Sequence, residues 1–147
     1  MRSKNLAATT IVLAIIAMGI IALADVSIKQ SAGKISPSLG TLIYAITAVA
    51  IPLAWTLWTN WNGGLQVTNE GVLWSIATGI WFSIFTGLLF IIFAQGVNLS
   101  IGSPVIRMGG IVLAASLGII VFREGINLQY IIGFILAAAG IFLVVTR

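Results

Sequence analysis

The sequence predicts an all-α, polytopic membrane protein with five transmembrane helices. Three observations carry the fold class: 60% of the 147 residues are hydrophobic, only 7% are charged, and the apolar residues fall into five long runs. Soluble domains carry about 25% charged residues because their surfaces face water. Lipid tails accept apolar side chains instead, so the composition favours a membrane protein.

Each of the five apolar runs is long enough to cross a bilayer, which takes about 20 residues of α-helix. The runs lie at about residues 8–28, 39–59, 72–95, 102–122 and 128–146, and they make residues 1–147 a single predicted transmembrane domain. Pro52 is expected to kink the second run, because proline has no amide hydrogen to donate. The first run is longer than the apolar part of a signal peptide, which predicts a retained span.

The connectors between the runs are short and polar or rich in glycine. In the longest one, residues 60–71, Thr68 or Asn69 is predicted to cap the third helix, with Glu70 at its positive end. A tight turn is predicted at residues 98–102. Trp55, Trp58 and Trp61 fall where an aromatic belt is expected; Trp side chains favour the membrane–water boundary.

Several functional classes are excluded by composition. The chain has no Cys and no His, so disulfides, thiolate nucleophiles, the usual zinc sites and histidine proton relays are absent. The seven basic residues are scattered singly, which does not indicate nucleic-acid binding despite a net charge of +4. No catalytic set and no phosphate-binding glycine loop is present. We therefore predict no enzymatic activity, no metal and no cofactor.

The basic residues are divided almost evenly between the two sides of the membrane that five spans imply. One side receives Arg2, Lys4 and Arg123, and the other receives Lys29, Lys34 and Arg147, with Arg107 nearby. Either a single charge near the first helix sets the orientation, or the chain inserts both ways and forms an antiparallel homodimer. Both explanations fit the sequence.

Two sites hold ionisable residues inside the apolar runs, where charge is costly and marks candidate functional sites. Arg107 is either an interface anchor that reaches back to the headgroups or a cation lining a substrate cavity. Asp25 precedes Lys29 by four residues, so the two share a helix face. They form either a structural pair or a site where Asp25 carries a proton or contacts a cation.

Two further patterns lie on helix faces. Trp74, Trp81 and Phe85 recur at helical spacing, which is typical of a lipid-facing or packing stripe, although Trp81 could also line a pocket for a planar or cationic ligand. Close backbone approach favours small residues, so a helix-packing or dimer interface is predicted in the fifth run, at Gly133, Ala137 and Gly140.

Several short motifs support a family resemblance. They include Ala94-Gln95-Gly96, Ser103-Pro104-Val105, Phe122-Arg123-Glu124 and Gly140-Ile141, together with the Asp25 to Lys29 segment. With these motifs the chain resembles, over nearly its whole length, the EamA-type five-helix repeat of the drug/metabolite transporter superfamily. It is also similar to the small multidrug resistance family, although Ile21 stands near the place of that family's proton-coupling glutamate.

The resemblance implies a half-size transporter whose first four helices line a central cavity and whose copies pair, often antiparallel. Arg107 stands where related proteins often have Lys, and Tyr44 where an Arg is frequent, which makes both candidate cavity residues. The resulting hypothesis is a secondary transporter for a small metabolite or drug-like solute in the inner (plasma) membrane, surrounded by membrane lipid. The alternatives are a small flippase or accessory subunit for lipid-linked sugars, or a small multidrug resistance-like exporter.

Overall fold

The computed structural model describes residues 2–123, 125 and 127–146, with side-chain surroundings from residue 9 onward. Glu124 and Arg147, which entered the motif and charge arguments, lie outside the described residues. In the described part of the chain every regular element is an α-helix, and five spans are long and apolar enough to cross a membrane. The chain is therefore an all-α, multi-pass membrane protein, as its composition predicts.

Six helices form the five spans, because the second span consists of two helices. The helices are α1 (Arg2–Ser31), α2 (Pro37–Ala48), α3 (Ala50–Gly63), α4 (Asn69–Ala94), α5 (Leu99–Phe122) and α6 (Leu128–Val145). The second span reaches Gly63 rather than residue 59, so its connector to α4 is shorter than predicted. The turn predicted at 98–102 is wrong: α5 already begins at Leu99, and Gly96 turns the chain with a φ of 91°.

The second span is broken at Val49, between α2 and α3. Pro52 has no N–H group for the carbonyl of Ala48, four residues earlier, so the helical ladder loses one bond there. The Val49 N–H instead contacts the Ile46 carbonyl at 3.4 Å, and the regular pattern resumes where Leu53 donates to Val49 at 3.0 Å. The interruption falls where Pro52 predicts a disturbance, while Val49 itself keeps helical dihedral angles, with φ −72° and ψ −28°; a kink of the span stays a prediction.

The helix starts are capped by side chains at two places. The Thr68 hydroxyl accepts a hydrogen bond of 3.1 Å from the Gly71 N–H, which identifies Thr68 rather than Asn69 as the cap of α4. At the start of α6, the Asn127 carboxamide oxygen accepts a bond of 2.7 Å from the Tyr130 N–H. Both bonds satisfy amide donors that the first helical turn leaves without a partner.

The chain divides into two compact units, Met1–Gly96 and Val97–Arg147. In the first unit, α4 packs against α1 and α2. Its buried side chains lie towards the end of α4 and on α1: Asp25, Thr86, Leu89, Phe90 and Phe93.

Glycine brings α2 and α4 close together in this unit. Gly40 is buried, and a Cβ atom placed on it would lie 2.7 Å from the Phe90 ring. A Cβ atom on Gly87 would lie 3.3 Å from the Thr41 hydroxyl oxygen. Because each glycine faces a larger side chain of the other helix, small residues set the spacing of the pair.

The second unit is a hairpin of α5 and α6 that contact each other directly. Gly118 on α5 is buried. On α6, Ala137 and Gly140 are half-buried, and a Cβ atom on Gly140 would lie 3.8 Å from the Met108 side chain of α5. The face of α6 that meets α5 therefore includes two of the three small residues singled out in the sequence.

Candidate functional site

A groove of about 380 Å³ lies beside the break in the second span, between α2, α3 and α4. Val49 is about 18 Å from the Pro37 end of its span and about 21 Å from the Gly63 end, at 1.5 Å per residue along straight helices. The groove therefore lies near the middle of the second span. Its lining residues are Tyr44, Ala45, Ala48, Val49, Pro52, Leu53, Thr56, Gly79, Phe82 and Ser83.

The groove is apolar with a few polar groups. All of its lining residues within the described chain are uncharged. Polarity comes from the side-chain hydroxyls of Tyr44, Thr56 and Ser83. A backbone acceptor is also close, since Ala48 lines the groove and its carbonyl has no helical donor at Pro52. Apolar walls with a few placed polar groups are typical of small-molecule sites.

An aromatic residue, Phe82, and a small one, Gly79, shape the α4 wall of the groove. The ring of Phe82 meets that of Phe85 edge-on, with centroids 6.4 Å apart and an interplanar angle of 82°. Gly79, three residues before Phe82 on the same helix, leaves open space in the groove, because a Cβ atom there would meet nothing within 4 Å. The ring of Phe82 therefore lies next to the open space at Gly79.

Sequence reasoning missed most of the groove-lining residues, although α4 carries a signal for them. Ser75, Gly79, Ser83 and Gly87 follow one another at four-residue spacing, which places them on one helix face. Gly79 and Ser83 line the groove, and Gly87 packs against Thr41. The sequence-based prediction concerned instead the bulky aromatic residues of α4, which lie on a different face of that helix.

The predicted cavity residues lie in separate parts of the structure. Tyr44 lines the groove. Trp81 is 68% exposed and is not among the lining residues, although its neighbour Phe82 is. Asp25 is buried elsewhere in the first unit, and Arg107 belongs to the second. Of the three predicted cavity residues in the first unit, which are Asp25, Tyr44 and Trp81, the groove therefore contains one, Tyr44.

A second polar site joins α1 to the end of α4. Asp25 is only 3% exposed and makes at least one polar or electrostatic contact. The Lys29 ammonium donates to the Phe93 carbonyl at 3.4 Å and lies 5.7 Å from the centre of the Phe93 ring. Phe93 is one residue from the end of α4, so the cation stands at the negative end of that helix. Lys29 therefore ties α1 to α4, a contact that the sequence did not predict.

Arg107 is half-buried on α5, about 12 Å along the helix from Leu99. Helical side chains tilt towards the N-terminal end, so its guanidinium is carried towards the Leu99 end of the span. Arg107 also has at least one polar or electrostatic contact. The anchor and the cavity interpretation of Arg107 both stay predictions.

The small residues of α6 offer a matched pair for separating folding from association. Gly140→Leu is expected to loosen the α5–α6 hairpin by about 1 kcal/mol, because the new side chain must displace Met108. Gly133→Leu should leave the fold unchanged, since a Cβ atom on the exposed Gly133 meets nothing within 4 Å. Thermal unfolding in detergent measures the first effect, and crosslinking yield measures association.

If Gly133 lies at a subunit contact, Gly133→Leu should lower the crosslinking yield without changing the unfolding temperature. Equal unfolding temperatures for Gly140→Leu and Gly133→Leu would contradict the packing of Gly140 against α5.

No family model, curated protein or solved structure matches the chain.

Proposed function

We propose that this chain is a small secondary transporter of the inner (plasma) membrane, which moves a small metabolite or drug-like solute by alternating access. The observation that carries the proposal is the interruption of the second span at Val49, near the middle of that span, beside a groove between α2, α3 and α4. Secondary transporters commonly build their substrate sites from discontinuous helices near the midplane. Irregular backbone at that depth is tolerated where it lines a cavity or is buried in protein.

The size and lining of the groove support a small-molecule site. About 380 Å³ falls within the range of roughly 300–1,000 Å³ that is usual for ligand pockets, and the groove is open, with Val49, Leu53 and Phe82 each more than half exposed. The resemblance of the chain to EamA-type repeats favours the same function and is part of the proposal.

The working unit in this proposal is a homodimer with its two copies antiparallel. Alternating access commonly uses two inverted repeats around one site, and two oppositely inserted copies of a five-span chain would supply them. The near-even division of basic residues across the membrane supports insertion in both orientations.

A reporter fused after residue 147 should then be active on both sides of the membrane. Two lysines added at one terminus should shift it to one side, because basic residues near short loops set the orientation. Activity on one side only in the unmodified chain would contradict the antiparallel dimer.

The transport proposal is tested by filling the groove. Gly79→Leu should reduce solute flux into vesicles containing the purified protein by at least about 10-fold, because the leucine occupies open space between the walls. Its unfolding temperature should stay near that of the wild type, since no atom within 4 Å opposes a Cβ atom there. Uptake of a solute panel by reconstituted protein provides the measurement.

Gly19→Leu is the matched control, because Gly19 on α1 also has no atom within 4 Å of a Cβ position and is exposed. It should transport like the wild type. Normal flux through Gly79→Leu would remove the groove from the mechanism. Wild-type protein that moves no solute alone, but does so with a partner subunit, would favour the accessory-subunit or flippase alternative.

A further inference from the structure

We infer that the groove beside Val49 binds an uncharged molecule that combines apolar bulk with one hydrogen-bonding group such as a hydroxyl. This inference deepens the proposed function, on which it rests, by assigning a substrate class to the same site. Three features of the described residues carry it: the absence of charge in the lining, the unused hydroxyls, and the aromatic wall.

The first feature is the neutral lining at mid-span. Within the described chain, no lining residue could neutralise a charged ligand. A full charge placed near the middle of the bilayer without a partner is strongly disfavoured, and this applies to a ligand as it does to a side chain. The groove therefore offers no ion pair to a cation or to an anion.

The second feature is the pair of side-chain hydroxyls in the lining. Thr47, Thr59 and Thr78 each donate to the carbonyl four residues earlier, at 2.9 to 3.0 Å. The hydroxyls of Thr56 and Ser83, which line the groove, make no hydrogen bond to any described residue. Because polar groups away from water favour a partner, these two are available to a ligand.

The backbone adds an acceptor to this pair of hydroxyls. Pro52 deprives the Ala48 carbonyl of its usual helical donor, and Ala48 lines the same groove. A ligand hydroxyl can donate to such a carbonyl and accept from Thr56 or Ser83. One hydroxyl on the ligand therefore satisfies more than one group of the protein.

The third feature is the shape of the apolar walls. Phe82 is held against Phe85 in an edge-to-face contact, and Tyr44 and Pro52 add flat or rigid surface. Aromatic walls favour ligands with rings, since ring pairs gain attraction beyond the burial of their area. The open space at Gly79 leaves room for the bulk of such a ligand.

The inference is tested with four compounds of similar aromatic bulk: triphenylmethanol, triphenylmethane, tetraphenylphosphonium and tetraphenylborate. The unfolding temperature of the purified protein in detergent is measured against the concentration of each compound, since a ligand that binds the folded state raises it. Triphenylmethanol should raise it at the lowest concentration. Triphenylmethane should bind about 2- to 12-fold more weakly, which is the effect of one hydrogen bond. The two ions should give no rise.

Two variants locate the effect. Gly79→Leu should abolish the rise with triphenylmethanol, whereas Gly19→Leu should keep it. In the double variant Thr56→Val and Ser83→Ala, triphenylmethanol should bind more weakly, with an affinity that approaches that of triphenylmethane. A rise with either ion equal to that with triphenylmethanol, a rise that persists in Gly79→Leu, or no rise with any compound would overturn the inference.

The outcome is separable from that of the transport proposal. The expected pattern of unfolding temperatures together with no flux in reconstituted vesicles would leave the ligand class standing and remove transport. Flux that Gly79→Leu blocks, together with a rise caused by an ion, would leave transport standing and remove the ligand class.

Discussion

Gly40→Val is expected to lower the free energy of unfolding by about 3 kcal/mol, the upper part of the range for overpacked sites. A Cβ atom on Gly40 would lie 2.7, 2.8 and 3.0 Å from three carbons of the Phe90 ring. Phe90 is itself buried in the packing of α4, so the ring has little room to move. Instead, α2 and α4 must move apart. Reversible unfolding in mixed detergent measures the resulting loss of unfolding free energy.

Two further variants test that explanation. Gly19→Val places the same side chain where nothing lies within 4 Å, so its effect should stay within about 0.5 kcal/mol. Phe90→Leu should recover part of the loss when added to Gly40→Val, because it removes the atoms in the way. Strictly additive losses from Gly40→Val and Phe90→Leu would show that the two residues do not oppose each other.

If Asp25 and Lys29 form the pair that their four-residue spacing predicts, Asp25→Leu should destabilise the first unit by about 3–5 kcal/mol, because it leaves the charge of Lys29 without its counterpart. Asp25 is buried, and Lys29 lies one turn further along the same face, half-buried against Phe93. Adding Lys29→Met to Asp25→Leu should recover at least about 1 kcal/mol, since the remaining charge is then removed as well. The same unfolding experiment provides the four values of the cycle.

Lys34→Met is the control for removing a charge from this region, because Lys34 is exposed. It should change the free energy of unfolding by less than about 0.5 kcal/mol. If Asp25→Leu is as stable as the wild type but alters transport, the carboxylate has a role in the transport cycle rather than in packing. Recovery by Lys34→Met equal to that by Lys29→Met would contradict the specific coupling.

The spans could be predicted from the sequence because apolar length alone decides them. Pro52 likewise predicted the break, since its missing amide hydrogen is a property of the residue itself. The groove could not be predicted in the same way. It depends on which residues of α4 face α2 and α3, and helical hydrophobicity carries little directional information when nearly every face is apolar. Trp81 shows the consequence: its size suggested a cavity residue, whereas the smaller Gly79 and Ser83 line the groove, and a cavity role for the exposed Trp81 stays a prediction.

The spans also differ in length, and this makes the protein sensitive to membrane thickness. The last span has 18 residues and the second has 27, which correspond to about 27 Å and 40 Å of straight helix. A hydrocarbon core of about 30 Å matches the last span upright but requires the second to tilt or bend. The interruption at Val49 lies beside the groove, so a bend of the second span at this point would change the width of the groove. Thinner bilayers are expected to favour such a bend and thicker ones to oppose it.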